Sequence, residues 1–284
     1  MRARRPLILV AALFLGIMSV RADEQLFGFV LGSETLPQNR SEIYQFATLR
    51  TGKAEGSYEG FDFETEIEHG VTDKFQISLS LEQRYIYNQG VNGERDALDD
   101  TDAYRFGGIS VAAKYNVLSP FDAAFGLAFR VEGGYLFHDE VDGLIEHERY
   151  VRPEIDLQKD FLDDRVIWDM GYGVEWAFGK RPAEQYPKEL AFEGETGVAY
   201  RFVSNWYAGL EIHSRWEYPQ FDFDNFEHRV FYAGPTIHYA QKNWWATLTW
   251  NYQIYGKGIG ELADGKTFAE ETRNLFRLKI GFNF

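Results

Sequence analysis

Asn274-Leu275-Phe276-Arg277-Leu278-Lys279-Ile280-Gly281-Phe282-Asn283-Phe284 closes the chain, and its alternation decides how the rest is read. Phe276, Leu278, Ile280, Phe282 and Phe284 fall on one face, and Leu275, Arg277, Lys279, Gly281 and Asn283 on the other. A period of two is the repeat of a β-strand, whose successive side chains point to opposite sides. One side of this strand is oily and the other carries charge. Two surroundings suit it: the half-buried sheet of a water-soluble sandwich, or a wall between hydrocarbon and a wet lumen.

Moving outward from that stretch, the pattern recurs. Phe61, Phe63, Thr65, Ile67 and His69 alternate with Asp62, Glu64, Glu66 and Glu68; a turn near Thr72 leads to Phe75, Ile77, Leu79, Leu81, Tyr85 and Tyr87, set against Glu82 and Arg84. Similar pairs of segments meet near Pro120, Asp163, Ser204 and Lys242. Counting Ser41–Thr51, whose facing the pattern does not fix, there are twelve such segments. Each is about 10 to 13 residues, enough to cross a bilayer as a tilted strand, whereas strands of water-soluble proteins average about 5–6. The short turns alternate with longer connections at 88–103, 138–146, 179–188, 219–226 and 256–271. An open sheet leaves edges that hydrocarbon cannot satisfy. The expected fold is therefore all-β: a closed antiparallel up-and-down transmembrane β-barrel of about 12 strands.

The parity of each segment assigns its side chains. The expected lumen lining is Asp62, Glu64, Glu66, Glu68, Glu82, Arg84, Arg130, Glu132, Arg152, Glu154, Asp156, Asp169, Glu175, Glu193, Glu195, Arg201, Glu211, His213, Arg215, Arg277 and Lys279. Lys114, Glu217 and Arg229 are read as inward as well. Matching parity across the short turns sets Glu195 opposite His213, Glu193 opposite Arg215 and Arg152 opposite Glu175. Such pairs form either a salt-bridge ladder that stiffens the wall, at about 0.2–1 kcal/mol each, or a charged pore lining. Inward acids outnumber inward bases, so an open lumen would favour cations. The expected aromatic girdle has two belts. Tyr115, Phe161, Trp168, Tyr200, Trp206, Tyr239, Trp244, Phe282 and Phe284 lie by the short turns, and Tyr85, Tyr87, Phe137, Trp176 and Trp216 by the long loops.

A last strand of alternating apolar residues ending in Phe, with the preceding repeats, resembles the outer-membrane β-barrel proteins of Gram-negative bacteria, porins among them. The likeness covers Ser41 to Phe284. It implies contact with outer-membrane lipid, and recognition of the last strand by the barrel-assembly machinery. Glu34-Thr35-Leu36-Pro37, Glu42, Arg50-Thr51-Gly52-Lys53 and Glu66-Ile67-Glu68-His69-Gly70-Val71-Thr72-Asp73 resemble one uncharacterised outer-membrane family of unknown function, which brings no site residues with it.

The start of the chain agrees. Arg2, Arg4 and Arg5 precede the apolar core Leu7 to Val20, and Val20-Arg21-Ala22 has the spacing of a cleavage site. Residues 1–22 read as a secretory leader, 23–40 as a periplasmic or plug segment, and 41–284 as the barrel. Losing the leader's four arginines would take the formal charge from -15 to -19, which excludes nucleic acid as a partner. Leu26-Phe27-Gly28-Phe29-Val30-Leu31 is a continuous apolar run. Left in water it would forgo roughly 1.5–3 kcal/mol per large side chain, so it is expected inside the barrel base or against its rim.

Other chemistry is thin. There is no Cys, hence no thiol chemistry. Ser214 is the candidate outward nucleophile for a lipid hydrolase, but no outward His falls on a neighbouring strand near it, and such a nucleophile needs a base within reach. His138-Asp139-Glu140 and His147-Glu148 have the residue types of a rim protease. Asp96, Asp99, Asp100 and Asp102 lack the spacing and central Gly of a calcium loop. Gly256, Gly258 and Gly260 precede no helix and form no phosphate cradle. No catalytic residue, cofactor or metal ligand is expected. The reading is a porin or channel for small hydrophilic or cationic solutes; the alternatives are a closed structural or surface-interaction barrel and, more distantly, a hydrolase.

Overall fold

The computed structural model describes residues 25–91, 98–179, 188–259, 261–262, 264–268 and 270–284. The expected leader, Asp96, Gly260 and nearly all of the 179–188 connection lie outside them. Twelve strands follow one another: β1 Ser41–Thr51, β2 Ser57–Thr72, β3 Phe75–Gln89, β4 Thr101–Leu118, β5 Gly126–His138, β6 Ile145–Phe161, β7 Val166–Phe178, β8 Lys188–Val203, β9 Trp206–Pro219, β10 His228–Ala240, β11 Trp244–Gly258 and β12 Asn274–Asn283. Each pairs antiparallel with its sequence neighbour, and β12 pairs with β1 from Glu42↔Asn283 to Thr51↔Asn274, closing the barrel. Closure leaves no strand edge unpaired, the condition a spanning sheet must meet.

The ends of the barrel differ. One, here the turn end, carries the short connections after β2, β4, β6, β8 and β10; the loop end carries the long ones. The tight turn between β8 and β9 places Asn205 at φ 68°, a left-handed position that Asn tolerates better than most residues.

Alternation sorts the faces as the sequence implies. Val111 is 58% exposed, Leu210 66% and Leu248 52%, a cost in water that hydrocarbon removes. The fourteen girdle residues all lie on this outer face, and none is buried. Charged and amide side chains fill the interior instead; Asp156, Asp169, Lys279 and Asn251 are at most 1% exposed.

β1 resolves the facing that its sequence left open. Glu42, Tyr44, Phe46, Thr48 and Arg50 point inward. Tyr44 and Phe46 pack there with Ala240 and Trp245 in a small apolar cluster. The outward Gln45 meets Thr65 of β2, whose hydroxyl donates to it at 2.6 Å. An aromatic-in, amide-out strand inverts the usual rule, and a local cluster and a mutual hydrogen bond offset the inversion.

Candidate functional site

Residues 25–36 enter the lumen as a re-entrant loop from the turn end. Leu26, Phe27 and Val30 are buried against Ile167, Ala199 and Tyr207 of β7, β8 and β9. Gly197 on β8 makes room: a Cβ there would come within 2.5 Å of the Phe27 ring. The apex is Phe29. Arg277 sits 3.9 Å from its ring centroid, His213 stacks on it at 4.4 Å, and Tyr232 stacks on His213 at 4.9 Å.

A segment without strand partners must find other partners for its backbone, and barrel side chains supply them. Glu211 accepts from the Gly28 and Phe29 amides at 2.9 and 3.2 Å, and Glu195 from Leu31 at 3.2 Å. Gln158 accepts from Ser33 and Gln76 from Leu36, at 3.0 and 2.7 Å. Lys279 donates to the Phe27 carbonyl, Lys114 to Gly32, Asn116 to Ser33 and Thr247 to Gln25, at 2.6–2.9 Å. The loop is thus bonded to seven strands and forms a plug.

Above the plug lies a cavity of about 500 Å³, floored by Gln25, Gly28, Phe29 and Leu31 and reaching Lys188, Pro219 and Glu227 at the loop end. On the β1–β3 side, Arg50 bonds Asp62 at 2.7 Å and Arg84 bonds Glu82 at 2.8 Å. Both arginines also donate to backbone carbonyls, of Glu140 and His138 respectively. Val141 of the following connection packs on Tyr58, Ile86 and Val91, which narrows the mouth there. On the other side a ladder runs from β5 to β10. Arg130 joins Glu132 and Glu154; Arg152 joins Glu132 and Glu193, each at 3.0 Å; Arg215 joins Glu175, Glu189, Glu193 and Glu217. His228 ends it, 3.3 Å from Glu217 and 3.4 Å from Glu271.

Even so, acids dominate. Among the described residues nineteen carboxylates border the cavity, against nine lysines and arginines. Glu64 and Glu66 enter none of these ion pairs. Carboxylate oxygens of Glu189, Glu217 and Glu227 lie within 4.8 Å of one another at the mouth; Arg215 offsets part of that charge.

Of the residues expected to line the lumen, Asp62, Glu64, Glu66, Glu68, Glu82, Arg84, Arg130, Glu132, Arg152, Glu154, Glu175, Glu193, Glu195, His213, Arg215, Arg277 and Lys279 border the cavity. Asp156, Asp169 and Glu211 are buried around the plug. Arg201 sits at the turn end, donating to the Asp163 carbonyl at 3.1 Å. The expected Glu193–Arg215 and Arg152–Glu175 pairs form. Glu195 and His213 are cross-strand partners, as expected, and each also contacts the plug. One expectation needs correction. Arg229 faces outward, opposite Trp216, because it shares the parity of Phe231.

The residues weighed for hydrolytic chemistry make local bonds. Ser214 donates to the Gly194 carbonyl at 3.2 Å. His138 meets the Phe106 carbonyl, Asp139 caps Val141 and Asp142, and His147 meets Tyr135. These are structural bonds of the rim.

A closed antiparallel barrel with an apolar outer face, aromatic belts and a charged interior is the architecture of an outer-membrane-type β-barrel. The chain belongs to the DUF6662 family of unknown function, whose profile matches residues 19–284. In fold it is similar to an outer membrane channel from Pseudomonas putida F1, with TM-score 0.62 and 11% identity over 89% of this chain and 98% of that one. It is also similar to the NanC porin, with TM-score 0.52 and 11% identity over 84% and 98%. No curated protein matches the sequence.

Proposed function

We propose that this chain is an outer-membrane channel whose vestibule gathers small cationic hydrophilic solutes and whose N-terminal segment is a stopper. The excess of carboxylates over cations around the cavity carries this reading. Low-dielectric walls focus such a field and raise the local concentration of counter-ions. The loop end would face outside and the turn end the periplasm, with the leader removed on export. Solute would enter through the loops, dwell among the acids, and pass when the plug shifts. The fold likeness to a channel and a porin supports passage as the class of activity.

The test is reversal potential in planar bilayers under a potassium chloride gradient, with full-length protein and with a Phe29→Ala, Glu211→Gln variant that loosens the plug. Cation preference in the variant supports the reading, and anion preference rejects it. A second reading, a closed barrel that works through its loops, is favoured by the plug's many bonds. It expects no conductance from either protein.

A further inference from the structure

The outer wall carries a feature that solute passage leaves unused. Arg229 of β10 and Lys257 of β11 are direct cross-strand partners, and Trp216 of β9 is opposite Arg229 on its other side. All three point away from the lumen, since the flanking His228 and Val230 are the buried, inward residues. The Arg229 guanidinium lies 5.2 Å from the Trp216 ring centroid and 5.4 Å from that of Tyr255, whose hydroxyl it meets at 3.2 Å. Its Nε is buried without a hydrogen-bond partner. Lys257 is exposed. Among the described residues, neither cation belongs to any of the ion pairs, which otherwise use most of the interior arginines.

Like charges directly opposite one another destabilise a sheet. In a chain of formal charge -15, carboxylates to offset them are plentiful, yet among the described residues none forms an ion pair with either. The location says what else can offset them. Arg229 is the second residue of β10 and Lys257 the second-last of β11, at the loop-end rim. Below them on the same wall are Phe231 and the exposed Ile254 and Ile237. A forked guanidinium beside an ammonium matches a phosphate, and apolar wall beneath it matches acyl chains. Trp and Tyr at that height are interfacial residues.

We propose that Arg229 and Lys257, flanked by Trp216 and Tyr255, bind the phosphorylated head group of a lipid in the outer leaflet. The proposal stands whether or not the lumen conducts. A free phosphate would use the two cations but not the wall below, so the occupant is the lipid.

Native mass spectrometry of the full-length barrel in non-ionic detergent tests it, with diphosphoryl lipid A, phosphatidylcholine and inorganic phosphate as separate probes. The expected result is one retained lipid A whose apparent affinity falls about tenfold in Arg229→Gln, Lys257→Gln, two charge-assisted contacts being lost. Phosphatidylcholine should bind equally weakly to both proteins, and millimolar inorganic phosphate should not displace lipid A. Lys257→Gln alone alters only an exposed side chain and should lose part of the affinity with folding intact. Arg229→Lys keeps the charge and loses the fork, and should fall between wild type and the double variant. Equal retention of lipid A by wild type and by both glutamine variants would overturn the site. Displacement by inorganic phosphate would reduce it to an adventitious ion only.

Discussion

Phe29 shows how much one side chain decides here. Its ring is clasped between Arg277 and His213, and a cation over a desolvated ring contributes up to about 2 kcal/mol. Phe29→Ala should therefore loosen the plug while leaving the barrel folded. Single-channel recording should show a higher open probability, with the denaturant midpoint of the barrel little changed. The vestibule acids make a second case. Replacing Glu64 and Glu66 by Gln removes two ionisable carboxyls from the lining. At about 10 Å in water each acts on a passing ion by about 0.4 kcal/mol, with opposite sign for cation and anion, so the two together shift the cation-over-anion ratio by about 1.6 kcal/mol; that permeability ratio should drop more than about tenfold, measured as reversal potential at low salt and at a pH where both carboxyls are ionised. An unchanged ratio would mean that the field arises elsewhere. Arg215 joins four carboxylates, and Arg215→Met would strip Glu189 of its ion pair and leave Glu175, Glu193 and Glu217 to Arg152 and His228, at about 3–5 kcal/mol. The urea midpoint should fall clearly. Legibility at this scale was uneven. The parity of Glu193 and Arg215 follows from spacing alone, so their contact was readable. The pairing of Glu195 with His213 was readable in the same way, but their contacts with the plug were not, because those depend on where residues 25–36 lie in three dimensions.

At the scale of elements, the strands were the readable part. Apolar alternation and turn residues placed all twelve, since an outer face in hydrocarbon admits little exception. Only the facing of β1 escaped, because its inward aromatics pack on Trp245 and its outward Gln45 bonds Thr65; neither fact is visible within the strand. The plug could be suspected from its continuous apolar run, but the hydrogen bonds that hold it come from distant strands. Deleting residues 25–36 should leave barrel closure intact, because β1 keeps all its pairings with β2 and β12. The deletion should raise conductance in planar bilayers several-fold. A barrel that stays sealed without the segment would show that the loops, not the plug, shut it.

The molecule as a whole is an acidic vessel with a fixed wall and a docked stopper. Ion pairs brace the wall from β5 to β10, and the remaining acids set the field inside. The Debye length shrinks from about 10 Å at 0.1 M salt to about 3 Å at 1 M. Cation preference should accordingly fade between those salt concentrations, while the buried ladder keeps the unfolding midpoint nearly constant. Reversal potentials and denaturant titrations at the two salt levels check both halves of this statement.

The plug also has a meaning in time. Its bonds reach Gln76, Lys114, Gln158, Glu195, Glu211, Thr247 and Lys279, and those residues share one interior only once β12 has met β1. Residues 25–36 come early in the chain, yet they have nowhere to dock until the final seam is zipped. Settling of the segment is thus a late event, one that reports completion of the vessel. A fluorophore beside Phe29 should change its signal after the barrel becomes resistant to unfolding in cold detergent, never before.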